Sequence, residues 1–221
     1  MSARGPWPIP FVLDPHNLML DATVSFVVSA LLAIMINAEG QAWVSTMLGD
    51  VREGVKDRFH FNAFLHLDIT GSICYLVAGF GWPKYLDINA SKFKYPELYM
   101  VLSRAAGPVA NLLMASVAAT LVFVMDFLDM DPRVFFMVVG VNVTTAVYSL
   151  IPIPPLAASS LLTVWIPPDS FLRKFLFFAG PFLIVAIFLA ERITGEGLIS
   201  PYLDPLVRQI TSLFIGKPLV G

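Results

Sequence analysis

Charge is scarce in this sequence. Asp, Glu, Lys and Arg together make up 14% of the 221 residues, where an ordinary soluble domain carries roughly a quarter. With 57% hydrophobic residues, so few charges cannot cover a water-facing surface, and a soluble globular domain is excluded. An excess of basic residues is lacking too. The formal net charge of -2 at pH 7 leaves no electrostatic footprint for nucleic acid. The single cysteine, Cys74, rules out an intrachain disulfide. Only His16, His60 and His66 could offer imidazole to a metal. The first twenty residues have no basic stretch followed by an uninterrupted apolar run, so residues 1–19 read as an N-terminal arm rather than a cleavable leader. There is no internal repeat and no low-complexity tract.

What the sequence does have is long apolar runs. A helix crossing the hydrocarbon core needs about 20 apolar residues. Four segments meet that standard: one from Leu20 to about Leu48, one from Val101 to Phe127, one from Val134 to about Ile151, and one from Phe171 to Ala190. A weaker fifth, between Ile69 and Trp82, holds Gly71, Gly79 and Gly81 and reads as a short or re-entrant element. The charged stretch at residues 49–67, with Arg52, Glu53, Lys56, Asp57 and Arg58, suits a solvated loop, and residues 83–99 are similarly polar. Residues 200–221 alternate Leu206, Val207, Ile210, Leu213 and Phe214 with Asp204, Arg208 and Gln209, the spacing of an amphipathic helix. The expected fold is all-α: one polytopic transmembrane bundle of about four or five helices, with an arm at 1–19, a membrane core at 20–190 and an amphipathic tail. Basic residues fall equally on both sides of such a bundle, so they give no orientation.

Five stretches, in order over residues 30–165, resemble the small bacterial site-2 proteases, which are intramembrane zinc metalloproteases. They are AWVSTMLGD (Ala42 to Asp50), FNAFLHLDITG with Asn62, His66, Asp68 and Gly71, FGWPK (Phe80 to Lys84), AAGPVANLL (Ala105 to Leu113) and VYSLIPIPPL (Val147 to Leu156). The resemblance implies a protease-like core in a bacterial inner membrane. It also implies where the chemistry belongs. The family carries H-E-x-x-H on a helix, so that two imidazoles one turn apart hold zinc and the Glu activates water. A third ligand is an Asp just after the proline-rich stretch. At the matching positions this sequence has Asn37, Ala38 and Gln41, and Ala157 stands where the Asp would be. The family's Asn before that stretch is Ser149.

Carboxamides and methyl groups are poor substitutes for zinc ligands and for a general base. The expectation is therefore a chain with no metal, no cofactor and no enzymatic activity. Asn37 and Gln41 share one helix face and suit interhelical hydrogen bonding. Glu39 points roughly the opposite way; an ionisable group at this depth needs a basic or hydrogen-bonding partner, in this chain or on another subunit. Gly107, Pro108 and Asn111 suit close helix packing, and Pro152, Pro154 and Pro155 hold extended backbone. The expected function is a structural or assembly subunit of a larger membrane complex, of the respiratory or photosynthetic kind, whose partners are other membrane subunits and lipids. The alternatives are a regulator that holds transmembrane helices or peptides in the old groove, and a lipid- or quinone-binding protein. Glu39, Asn111 and Ser149 are the candidate contacts.

Overall fold

The computed structural model describes residues 7–51 and 59–216. The charged residues Arg52, Glu53, Lys56, Asp57 and Arg58 of the expected solvated loop lie outside the described residues, as do residues 1–6 and 217–221. The described chain is an all-helical membrane bundle of seven α-helices, joined by turns and three short 3-10 segments. They are α1 (Leu20–Met47), α2 (Ile69–Ala78), α3 (Pro96–Phe127), α4 (Arg133–Tyr148), the single turn α5 (Ser160–Thr163), α6 (Phe171–Thr194) and α7 (Ser200–Ile215).

Three helices, α1, α3 and α6, are long and apolar enough to cross a membrane. At 1.5 Å per residue they run about 42, 48 and 36 Å, against a hydrocarbon core of about 30 Å. The expected span from Val134 to Ile151 is shorter: α4 ends at Tyr148 and covers about 24 Å. Its apolar character has another cause, because every residue from Phe136 to Tyr148 is buried inside the protein. Hydropathy reports a dry environment and does not separate lipid from protein interior. α4 is the central post against which α1, α3 and α7 pack.

The short element is α2, about 15 Å long. It starts sharply because the Asp68 carboxylate accepts the Gly71 N–H at 2.7 Å, and it stops at Gly79, whose φ of 76° is left-handed and costs a glycine little. The chain then doubles back. Trp82 Nε1 donates to Asp68 at 3.1 Å, and the Lys84 N–H donates to the His66 carbonyl at 2.7 Å. This return is tight enough that a Cβ on Gly71 would meet the Trp82 carbonyl. The FNAFLHLDITG and FGWPK stretches are thus two sides of one turn. α3 begins with Pro96 in its first turn, where the missing N–H does no harm. α7 lies against α4 and α3, burying Val207, Thr211 and Ile215 on its apolar side.

Candidate functional site

Asn37 and Gln41 sit one turn apart on the face of α1 that meets α3. α3 comes close at Gly107, where an added Cβ would strike the Asn37 Oδ1. Into this gap the two helices and α4 project polar side chains that bond in a single file. Arg104 Nη1 donates to Gln41 Oε1 at 2.8 Å. Gln41 Nε2 donates to Asn37 Oδ1 at 2.8 Å, and Asn37 Nδ2 donates to Asn111 Oδ1 at 2.6 Å. Asn111 Nδ2 then donates both to Asn142 Oδ1 and to the Ala33 carbonyl, each at 2.9 Å. Asn142 Nδ2 ends the file on the Val138 carbonyl at 2.9 Å. All five side chains are buried, Asn111 and Asn142 completely. The Arg104 guanidinium is further held by the Leu86 carbonyl at 2.7 Å and by the face of Tyr85, 3.8 Å from its centroid.

Beside this relay lies a cavity of about 20 Å³, bordered by Gln41, Arg104, Ser149 and Ala157. That is room for about one water; neither a quinone ring nor a lipid headgroup fits. Ser149 borders the cavity but spends its hydroxyl on the Thr145 carbonyl at 2.7 Å. Ala157 opens a 3-10 turn there, and Ala38 is buried in the body of α1.

Glu39 faces away from the relay and finds its partners within its own chain. Its Oε1 accepts the His60 N–H at 2.7 Å and lies 3.1 Å from His66 Nε2. The same Nε2 is 2.8 Å from the His60 carbonyl. Two acceptors on one ring nitrogen mean that Nε2 carries the hydrogen. Glu39 Oε2 is buried and makes no hydrogen bond to a described residue.

The residues gathered in the relay do not fit a zinc ion. Each amide oxygen already accepts a hydrogen bond, the amide nitrogens have no lone pair to give, and a guanidinium occupies the end where a divalent cation would be repelled. Among the described residues no group of three or more His, Cys, Asp or Glu could hold a metal. Sequence reasoning put Asn37 and Gln41 on one helix face and named Asn111 separately, as a packing or contact residue; it missed Arg104 and Asn142. The missed signal was present: a basic residue inside an apolar span needs a partner in the protein interior.

No family model matches the chain, and no solved structure matches it. Among curated proteins, it is 30% identical over 167 residues to the Bacillus subtilis (strain 168) protein named "Putative zinc metalloprotease YwhC", covering 72% of this chain and 74% of that one. That similarity overturns the expectation that the chain is no enzyme. A relative this close carries a protease's name, and the departures at Asn37, Ala38, Gln41 and Ala157 do not amount to a demonstrated loss of catalysis.

Proposed function

The chain belongs to the zinc metalloprotease family of that relative, a site-2-protease-like kinship, and we propose that it serves as an assembly subunit of a larger membrane protein complex. The observation that supports this most is the closed relay. Where the family places its reactive groups, five buried side chains on α1, α3 and α4 are hydrogen-bonded end to end beside a cavity of only about 20 Å³. Such a network locks three helices in register, which is what a rigid platform for neighbours needs. The outer faces fit the same reading, with Leu113, Phe123 and Phe178 each at least 63% exposed.

A second reading has its own observation. An apolar cavity of about 160 Å³ opens between α1 and α2, lined by Val27, Leu31, Ile34 and Leu76 among others, and would take side chains of a passing transmembrane helix. Purification from native membranes in mild detergent separates the two. An assembly subunit co-migrates with fixed partners at constant stoichiometry on native gels. A helix-holding regulator yields substoichiometric clients that exchange. A chain that migrates alone at its own mass, in every mild detergent tried, defeats the assembly reading. Cleavage of a transmembrane reporter by the same preparation, with and without chelator, tests the activity that the relative's name carries.

A further inference from the structure

A cavity that none of the relay side chains lines, of about 300 Å³, lies where the C-terminal turn of α6 meets the start of α7. A helix of about 36 Å crossing a core of about 30 Å brings its last turn to headgroup depth; in α6 that turn holds Glu191 and Arg192. The inner wall is aromatic, with the Tyr148 and Phe188 rings 5.6 Å apart between centroids. Two carboxylates stand beside it. Glu191 is only 9% exposed; its Oε1 accepts the Leu198 and Ile199 N–H groups at 2.6 and 2.5 Å, and its Oε2 accepts the Ser200 hydroxyl. These donors fix it in place. Asp204 accepts the Tyr148 hydroxyl on Oδ1 at 2.5 Å, and its other oxygen makes no hydrogen bond to a described residue. At the exposed mouth, Arg192 is held by the carbonyls of Leu76, Val77 and Leu13.

The charge pattern is two acids within, one fixed cation at the mouth, and Arg208 one turn beyond Asp204 on α7. Burial raises the Asp204 acid above the ordinary aspartate range and the nearby Glu191 charge adds to this, against the opposing pull of Tyr148 and Arg208. Arg208 thus offsets only part of the cost of burying the carboxylate. A bare metal ion is a poor candidate, since no set of three ligating side chains converges among the described residues and the space is about ten times a water's share of liquid volume. Aromatic rings beside carboxylates, here Tyr148 and Phe188 backed by Phe80, are instead the surroundings that recognise an organic ammonium.

We propose that this cavity binds an organic ammonium group, carried by an ethanolamine or choline phospholipid headgroup or by a soluble amine, with the cation against Tyr148, Phe188 and Asp204 and any phosphate at Arg192. The full chain in detergent is examined by native mass spectrometry with phosphatidylethanolamine, phosphatidylcholine and phosphatidylglycerol of matched acyl chains, with soluble choline and ethanolamine as competitors. The ammonium lipids are expected to bind at least about tenfold tighter than phosphatidylglycerol, the scale of one desolvated cation–aromatic contact. Asp204→Asn and Val12→Phe should each weaken them by about tenfold or more. Val12 borders the cavity yet is 39% exposed, so a larger side chain there fills the space without disturbing the core; circular dichroism checks both folds. Displacement by soluble amine identifies the ammonium itself as sufficient, and lipid retained against soluble amine identifies the lipid as the source. Phosphatidylglycerol bound as tightly as the ammonium lipids, or wild-type binding by both variants, overturns the proposal.

Discussion

Asn111→Leu cuts the relay at its branch point while keeping the number and branching of side-chain heavy atoms. The wild-type side chain is fully buried and makes three hydrogen bonds, accepting from Asn37 at 2.6 Å and donating to Asn142 and to the Ala33 carbonyl at 2.9 Å. Leucine removes all three and strands the Asn37 amide N–H and the Asn142 carbonyl in a dry interior. Two scales bear on the cost. A stranded buried group in a soluble protein costs about 1–3 kcal/mol. Interhelical hydrogen bonds in membranes average about 0.6 and reach about 1.7 kcal/mol, because unfolded helices in the bilayer also find partners. The membrane scale sets the floor, so three lost bonds give about 2 kcal/mol, and the two stranded groups carry the total to about 4 kcal/mol. Reversible unfolding in mixed micelles, followed by far-ultraviolet circular dichroism, measures it. Leu113→Ala, at a site 65% exposed on the same helix, is the control and should shift stability by no more than about 0.5 kcal/mol. An Asn111→Leu loss no larger than the control's would mean that the relay contributes no net stability, and the platform argument would go with it.

Gly40→Ala should destabilise by about 1–3 kcal/mol despite alanine's better helix propensity, because the new Cβ would lie 2.9 Å from the Ala106 carbonyl and 2.6 Å from the Ala110 Cβ; a higher unfolding midpoint would contradict the α1–α3 packing described. Gly107→Ala should cost at least as much, since the new Cβ would meet the Asn37 Oδ1 that the Gln41 amide holds, and Asn37 cannot swing clear without breaking the relay; an unfolding midpoint at or above the wild type's would contradict this. Glu39→Ala takes away the acceptor of the His60 N–H and of His66 Nε2, so hydrogen exchange at the His60 amide should speed up while amides at the centre of α4 keep their protection. Zinc added to chelator-treated protein should leave the unfolding midpoint where it was, as the relay's amide oxygens are weak neutral donors already accepting hydrogen bonds beside a guanidinium; a midpoint that climbs with zinc concentration, as mass action requires of a native-state ligand, would show a donor set elsewhere.

Much of the scaffold was legible because local chemistry dictates it. The start of α1 at Leu20 and of α6 at Phe171 coincide with the onset of apolar runs, and α2 is short because Asp68 caps it in front and Gly79 closes it behind. The extent of α4 was misread for a reason hydropathy cannot mend: a helix enclosed by protein over most of its length, as α4 is from Phe136 to Tyr148, is as apolar as one in lipid. Of the site, the i, i+4 spacing of Asn37 and Gln41 showed a shared face. It could not show what meets that face, because Arg104 and Asn142 are 63 and 101 residues away from Gln41 along the chain, and only tertiary packing sets them there. The enzymatic expectation failed differently. It counted missing side chains, whereas relatedness over 72% of the chain weighs the whole fold.

The relay has a direction, and its ends impose it. Arginine can only donate, so Gln41 must turn its carbonyl to Arg104 and its amino group to Asn37. The Val138 carbonyl can only accept, so Asn142 must turn its amino group to it and its carbonyl to Asn111. Asn37 and Asn111, caught between, have one consistent orientation each. Reversing any one amide would set donor against donor on one side and acceptor against acceptor on the other, in a buried interior. The consequence reaches beyond local bonding. Sliding α1 along α3 by one residue would break the file at Asn37 and Gln41 together, because both sit on α1 and both are bound in a fixed sense. Close packing at Gly40 resists such a slip as well, since any larger residue brought there would strike Ala106 and Ala110. The buried, one-way string of amides anchored on a guanidinium adds a directional constraint that packing lacks, so the register of α1, α3 and α4 is held by these five residues together with the close helix contacts rather than by the lipid-facing surface around them.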